Sequence, residues 1–342
     1  MDNQSIRKRR YTIFSLFSRD IITHMKALKC SATLLVITMA AILTSCISIA
    51  PPDEPGAYHV GEYSISYNVS DYGTYEATVR YPAEEDGQLA SVDDSAAPYP
   101  GIIVSSGRGG GEWSVSWISE HLVSHGYVTL AFTPPDMFCN STTQWAAGFI
   151  GGIQQLKLQN SDPSSPVYGL IDTETFGVIG LSMGGGGCLE AAGTANSGVD
   201  AAVPLAPAGY NSSHTTATMN AAANISVPVQ LQIGSADTFV PPERVLPFYT
   251  DIIPDTTTKQ YIEINGGNHI GFLTWNFAEI AVLFEIEPEI SIGFEEQRRI
   301  SSRYFTAWFQ YHLKGLKGYD RYIFGDDAVE LNVSVFEYNI GQ

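Results

Sequence analysis

Short, fully apolar runs alternate along the chain with longer stretches whose apolar residues recur every three or four positions. The first kind comprises GIIVSS at 101–106, VTLAF at 128–132, FGVIGL at 176–181, AAVPL at 201–205, VQLQI at 229–233 and QYIEI at 260–264. Each is short enough and apolar enough to predict a buried strand. The second kind predicts helices over 113–124, 143–158, 183–195, 242–252, 273–286 and 294–314. Residues 62–69 and 74–81 predict an antiparallel entry hairpin, and 86–100 a polar loop. Buried strands alternating with helices define an α/β class: a mostly parallel central sheet with helices on both faces. One domain is expected over 59–342, with no internal repeat.

The N-terminal part reads differently. Ser31 to Ile49 is nearly free of charge, follows Lys26 and Lys29, and passes through Leu43-Thr44-Ser45-Cys46. That end resembles a bacterial lipobox, with Cys46 as the lipidated residue. From Met25 the segment has the charged, apolar and small-residue regions of a secretory signal. We therefore expect a leader over 1–45 with a start at Met25, a Pro-containing tether over 46–58, and a body outside the cytoplasm. That body is expected to be lipid-anchored at the periplasmic face or cell surface, or secreted. An uncleaved membrane anchor behind Arg7, Lys8, Arg9 and Arg10 is the alternative.

The chain of 342 residues carries a net charge of −18. Seven of its 18 basic residues, but only two of its 36 acidic ones, lie in the first 45 residues, which leaves the body at −23. Such acidity argues against nucleic acid and against anionic headgroups as partners; a monomer is expected. Cys139 and Cys188 remain in the body, where pairing and two free thiols are both open. The seven histidines have no cysteine neighbours at ligand spacing, so no metal is expected.

Chemistry concentrates at Gly180-Leu181-Ser182-Met183-Gly184, between an apolar strand and a helix. A serine on such a turn is held in a strained conformation and needs small neighbours for the turn to close. The helix beyond it aims free N–H groups at developing negative charge. An acid and a base should follow in that order, each after a strand. Asp237 fits in GSADTFVPP and His269 in NGGNHIGF. Asp251 and Asp255 sit at a helix end and Glu263 within a strand. His214 precedes the acid, His121 and His125 are expected to be structural, and His312 is expected on a solvated helix face. The oxyanion donors would be the Met183 N–H and the Arg108 N–H, the latter in the loop SSGRGGGEW. That glycine run lacks the Lys-Ser/Thr of a phosphate-binding loop.

VIGLSMGGGG, SVPVQLQIGSAD, YIEINGGNH and SSGRGGGEWSVSWISEHLVSHGYV together resemble the bacterial cutinase-like polyester hydrolases, which include PET-degrading enzymes. These belong to the dienelactone-hydrolase-like part of the α/β-hydrolase superfamily. The resemblance covers residues 98–271, and it implies an α/β-hydrolase fold with Ser182 as nucleophile, Asp237 as acid, His269 as base and Arg108 and Met183 as oxyanion hole. It places Leu181, Trp113, Ala208, Tyr210 and Phe239 around the substrate. Several positions depart from the family. Arg108 stands where an aromatic is usual, Leu181 where Trp or His is usual, Ala208 in place of a cleft Trp, and Phe239 in place of an aliphatic. Gly234 and Gly271 occupy the places of the cysteine pair that flanks acid and base in the PET-active branch. An apolar insertion follows His269, over 272–299. The expected activity is hydrolysis of a small or polymeric carboxylic ester without cofactor. The alternatives are a peptidase or other acyl hydrolase on the same triad, or a non-catalytic surface lipoprotein.

Overall fold

The computed structural model describes residues 50–208, 210, 216–274 and 291–341. The leader and Cys46 lie outside the described residues, as does most of the insertion after His269. Strands β1 (His59–Val69) and β2 (Gly73–Ala83) form the expected hairpin, with His59 opposite Ala83 and Val69 opposite Gly73. The short β3 (Gly87–Gln88) pairs with β1. There follow β4 (Tyr99–Ser105), α1 (Ser116–Ser124), β5 (Val128–Thr133), α2 (Thr142–Ser161), β6 (Ile171–Leu181), α3 (Met183–Gly193) and β7 (Ala201–Leu205). The remainder is α4 (Thr216–Ala222), β8 (Val229–Gly234), β9 (Thr258–Ile264), α5 (Phe294–His312), α6 (Asp320–Ile323) and β10 (Val333–Ile340).

The ten strands among the described residues join one sheet in the order β10-β9-β8-β7-β6-β4-β5-β2-β1-β3. The six strands from β9 to β5 run parallel, so their carboxyl ends lie along one edge. β4, β7 and β8 are buried along their whole length, as continuous apolar runs require when helices cover both faces. Register shows the two layers. Ile103 of β4 lies against Gly152 of α2, whereas Gly177 of β6, in register with the neighbouring Ile102, faces Phe309 of α5. Adjacent strand positions point to opposite faces, so α2 and α5 cover opposite sides of the sheet. This is the α/β-hydrolase fold.

Four expectations need correction. Beyond the last expected helix lies a strand for which no element was expected: VSVFEYNI forms β10, antiparallel to β9, and its β-branched and aromatic residues suit an edge strand. The stretch 242–252 is not one helix but two short turns, Pro242–Arg244 and Phe248–Ile252, because Pro247 removes a donor between them. The expected tether is laid against the body from Ala50 onward. Gly56 N–H donates to Ser124 Oγ (2.8 Å), Tyr58 N–H to Ser124 O (3.1 Å), His125 Nε2 to Glu54 O (2.9 Å), and Asp53 pairs with Arg299 (2.6 Å). His312 is not on a solvated face. Its ring lies 4.3 Å from that of Trp308, and burial pushes it down to about 4. His121 and His125 are structural, as expected, each donating to a main-chain carbonyl of the docked segment. Cys139 and Cys188 are both free.

Candidate active site

The carboxyl edge of the parallel strands gathers the three candidate residues. Strand β6 ends at Leu181, helix α3 begins at Met183, and Ser182 joins them at φ 58°, ψ −116°. A serine in that region carries strain of about 1–3 kcal/mol, which the surroundings must hold in place. Ser182 N–H donates to Leu205 O (2.9 Å), and its carbonyl accepts from Gly186 N–H (2.9 Å) and Ala208 N–H (2.8 Å). The elbow also demands close approach. A Cβ on Gly184 would fall well inside contact distance of the Ser106 carbonyl oxygen. One on Gly107 would sit 2.6 Å from Ser182 Cβ and 3.2 Å from its Oγ, so the loop after β4 packs directly on the serine.

Asp237 follows β8 and is 3% exposed. Its Oδ1 accepts Val240 N–H at 2.7 Å, and its Oδ2 lies 2.8 Å from His269 Nδ1. An ionised carboxylate only accepts, so Nδ1 holds the proton and Nε2 is left with its lone pair. His269 follows β9, after a turn in which Gly266 adopts φ 74°. The acid and histidine loops are stitched together by main-chain bonds, Ser235 N–H to Ile264 O (2.9 Å) and Ala236 N–H to Gly267 O (2.8 Å). Both carboxylate and imidazole are thus held by backbone at the ends of adjacent parallel strands.

Met183 is the first residue of α3, and Arg108 lies one residue beyond Gly107. Among the described residues neither main-chain N–H donates to a protein acceptor. The loop that carries Arg108 is braced by Gly109 N–H to Met137 O (2.8 Å), Gly110 N–H to Gly107 O (3.0 Å) and a Ser106–Ser114 hydroxyl bond (2.6 Å). The Arg108 side chain is exposed, with Nε donating to Phe138 O at 3.0 Å.

The expected substrate contacts divide. Phe239 is 49% exposed and lies 5.3 Å from the His269 ring, so it borders the site. Trp113 is 39% exposed and folds over Gly111 of the loop after β4. Ala208 is half-buried and tied to Ser182 O; Tyr210 is half-buried against Phe248 at 6.5 Å. Leu181 requires correction: at 1% exposure, in register with Leu205, it belongs to the packing of the sheet and does not line an open cleft. Two buried residues behind His269, Asn268 and Gln297, escaped sequence reasoning. Asn268 adjoins the histidine in sequence, but Gln297 lies on α5 with no local pattern to mark it.

A serine at a strained strand-to-helix elbow and a buried carboxylate–imidazole pair, all following strands at the same edge of this parallel sheet, define the α/β-hydrolase class. A family profile described as PET hydrolase-like matches residues 49–285. The chain belongs to that family. Among its relatives, cutinase est1 of Thermobifida alba is 31% identical over 218 residues, 63% of this chain and 64% of the relative. A cutinase of Thermobifida fusca is 29% identical over 218 residues, 63% of each chain. The bis(hydroxyethyl) terephthalate hydrolase of Streptomyces coelicolor is 29% identical over 223 residues, 65% of this chain and 63% of the relative. The chain thus spans a little under two thirds of the length of these three relatives.

Proposed function

We propose that the protein is a serine carboxylic-ester hydrolase that works through an acyl-enzyme. The observation that carries this is the 2.8 Å contact between buried Asp237 and His269, at the same carboxyl edge of the sheet as the Ser182 elbow. In this reading His269 Nε2 takes the Ser182 proton as Oγ attacks the ester carbonyl. Asp237 holds the imidazole tautomer and stabilises the imidazolium. The Arg108 and Met183 amides receive the tetrahedral oxyanion. The imidazolium returns its proton to the leaving alcohol, and water, activated by the same base, releases the acid. The relatives' names point to cutin-like and terephthalate esters. Whether this chain takes a polymer depends on Arg108, Trp113 and Phe239 at the rim. The lipobox-like Leu43-Thr44-Ser45-Cys46 supports a lipid-anchored protein outside the cytoplasm.

A fluorophosphonate probe and p-nitrophenyl butyrate test the reading. Wild type should label and turn over, and Ser182→Ala should do neither. Unchanged turnover in that variant overturns the triad.

A further inference from the structure

Gln297 belongs to α5, 28 positions beyond His269, and is fully buried. Its carboxamide meets the main chain of Asn268 on both sides: Oε1 accepts Asn268 N–H at 2.9 Å, and Nε2 donates to Asn268 O at 2.8 Å. This is the pairing one strand residue offers another, supplied here by a side chain. Asn268 is also fully buried, and its own Oδ1 accepts Gly271 N–H at 2.9 Å, which closes the turn containing His269. The carboxamide fits because nothing projects from the glycines on either side of the histidine. A Cβ on Gly267 would lie 3.0 Å from Gln297 Oε1, and one on Gly271 would fall inside its contact radius. Gly271 is one of the two positions where the PET-active relatives were expected to carry a cysteine. The space that a side chain at 271 would need next to the base is occupied by this amide.

We propose that Gln297 is a positioning residue: its carboxamide fixes the His269 loop to α5 and so holds the imidazole against Asp237. The proposal rests on the triad reading above. Two directional hydrogen bonds to one residue's backbone restrain both the translation and the tilt of the peptide that precedes His269. A small misplacement of a proton-transfer group is costly to turnover while leaving substrate binding largely intact.

The test replaces Gln297 by Met, which keeps length and volume and removes both hydrogen bonds. With p-nitrophenyl butyrate, well below the melting temperature of the variant, kcat should fall by about tenfold or more. KM should stay within about twofold, and fluorophosphonate labelling should slow in the same ratio as kcat/KM. Loosening the Asp237 contact should also move the acid limb of the kcat/KM profile to lower pH, because the carboxylate favours the charged imidazole. A folded Gln297→Met protein with wild-type kcat and an unmoved acid limb overturns the proposal, even if its melting temperature is lower. Should that variant not fold, Gln297→Leu carries the same test, since it also removes both hydrogen bonds to Asn268. Ser182→Ala separates the two failures: turnover surviving there refutes the triad reading itself, whatever Gln297 does.

Discussion

Replacing Asp237 by Asn probes the orientation of the base more sharply than removing the carboxylate would. The side chain is fully enclosed and has two neighbours, Val240 N–H at Oδ1 (2.7 Å) and His269 Nδ1 at Oδ2 (2.8 Å). An amide can satisfy Val240 only with its oxygen, which turns its NH₂ toward Nδ1. The imidazole must then accept at Nδ1 and carry its proton on Nε2, the wrong tautomer for taking a proton from Ser182. The flipped amide would restore the tautomer but leave Val240 N–H facing a donor, at a cost of about 1–3 kcal/mol. The productive tautomer is therefore depopulated by about 5- to 150-fold. Loss of the charge-assisted bond to the imidazolium removes about another 1.5–3 kcal/mol from the transition state. Together these put kcat about 10²- to 10⁴-fold below wild type, with the fold intact because the shape is unchanged. Steady-state hydrolysis of p-nitrophenyl butyrate, with active sites counted by fluorophosphonate titration, measures it. A variant that melts within about 5 °C of wild type and keeps more than a tenth of its kcat refutes Asp237 as the orienting acid.

Two further predictions concern stability. Burial pushes His312 and His125 down to about 4, from 6.5 when exposed, with nearby His121 adding like charge to His125. Below pH 6.5 the unfolded chain takes up these protons and the native chain does not, so stability falls as pH drops from 6.5 toward 4. At pH 5 each group accounts for up to about 2 kcal/mol, so His312→Phe should shrink the drop in melting temperature between pH 7.5 and pH 5 by about 4–8 °C. An unchanged drop contradicts the assignment. Grafting the missing cysteine pair as Gly234→Cys with Gly271→Cys should lower the melting temperature and leave both thiols titratable. A Cβ at Gly234 collides with the Gly267 carbonyl, and one at Gly271 collides with the Gln297 amide. A disulfide that forms and stabilises would show that the Gln297 contact is dispensable.

The parts of the fold that sequence exposed are those in which one residue class recurs locally. The buried runs ending at Ser105, Leu181, Leu205, Gly234 and Ile264 can only be strands covered on both faces, and each delivers its site loop to the same edge. Asp237 and His269 were legible because each sits within five residues of such an end. What escaped depends on pairings distant in sequence. Nothing near Gln297 says that its amide meets Asn268, nor does anything in residues 50–58 reveal the carbonyls that His121 and His125 seek on the facing segment. Leu181 was misread for a related reason. Its neighbour Ser182 is half-buried at the elbow, and only the register with Leu205 shows that the leucine is packed within the sheet.

The same division explains why the candidate chemistry is better specified than the substrate. The groups proposed for catalysis are positioned by main chain: the elbow φ of Ser182, the Val240 N–H on Asp237, and the stitched loops around His269. Arg108 shows both halves in one residue. Its proposed oxyanion donor is a backbone N–H, whose place is set by Gly107 against Ser182 and by the bracing of Gly109 and Gly110. The side chain attached to that same residue is exposed and held by one bond to Phe138 O. The donor survives any residue at 108 that keeps the loop geometry, so an arginine can replace the usual aromatic without loss of the oxyanion site. What changes is the surface a substrate meets there, from an apolar ring to a cation with donors to spare.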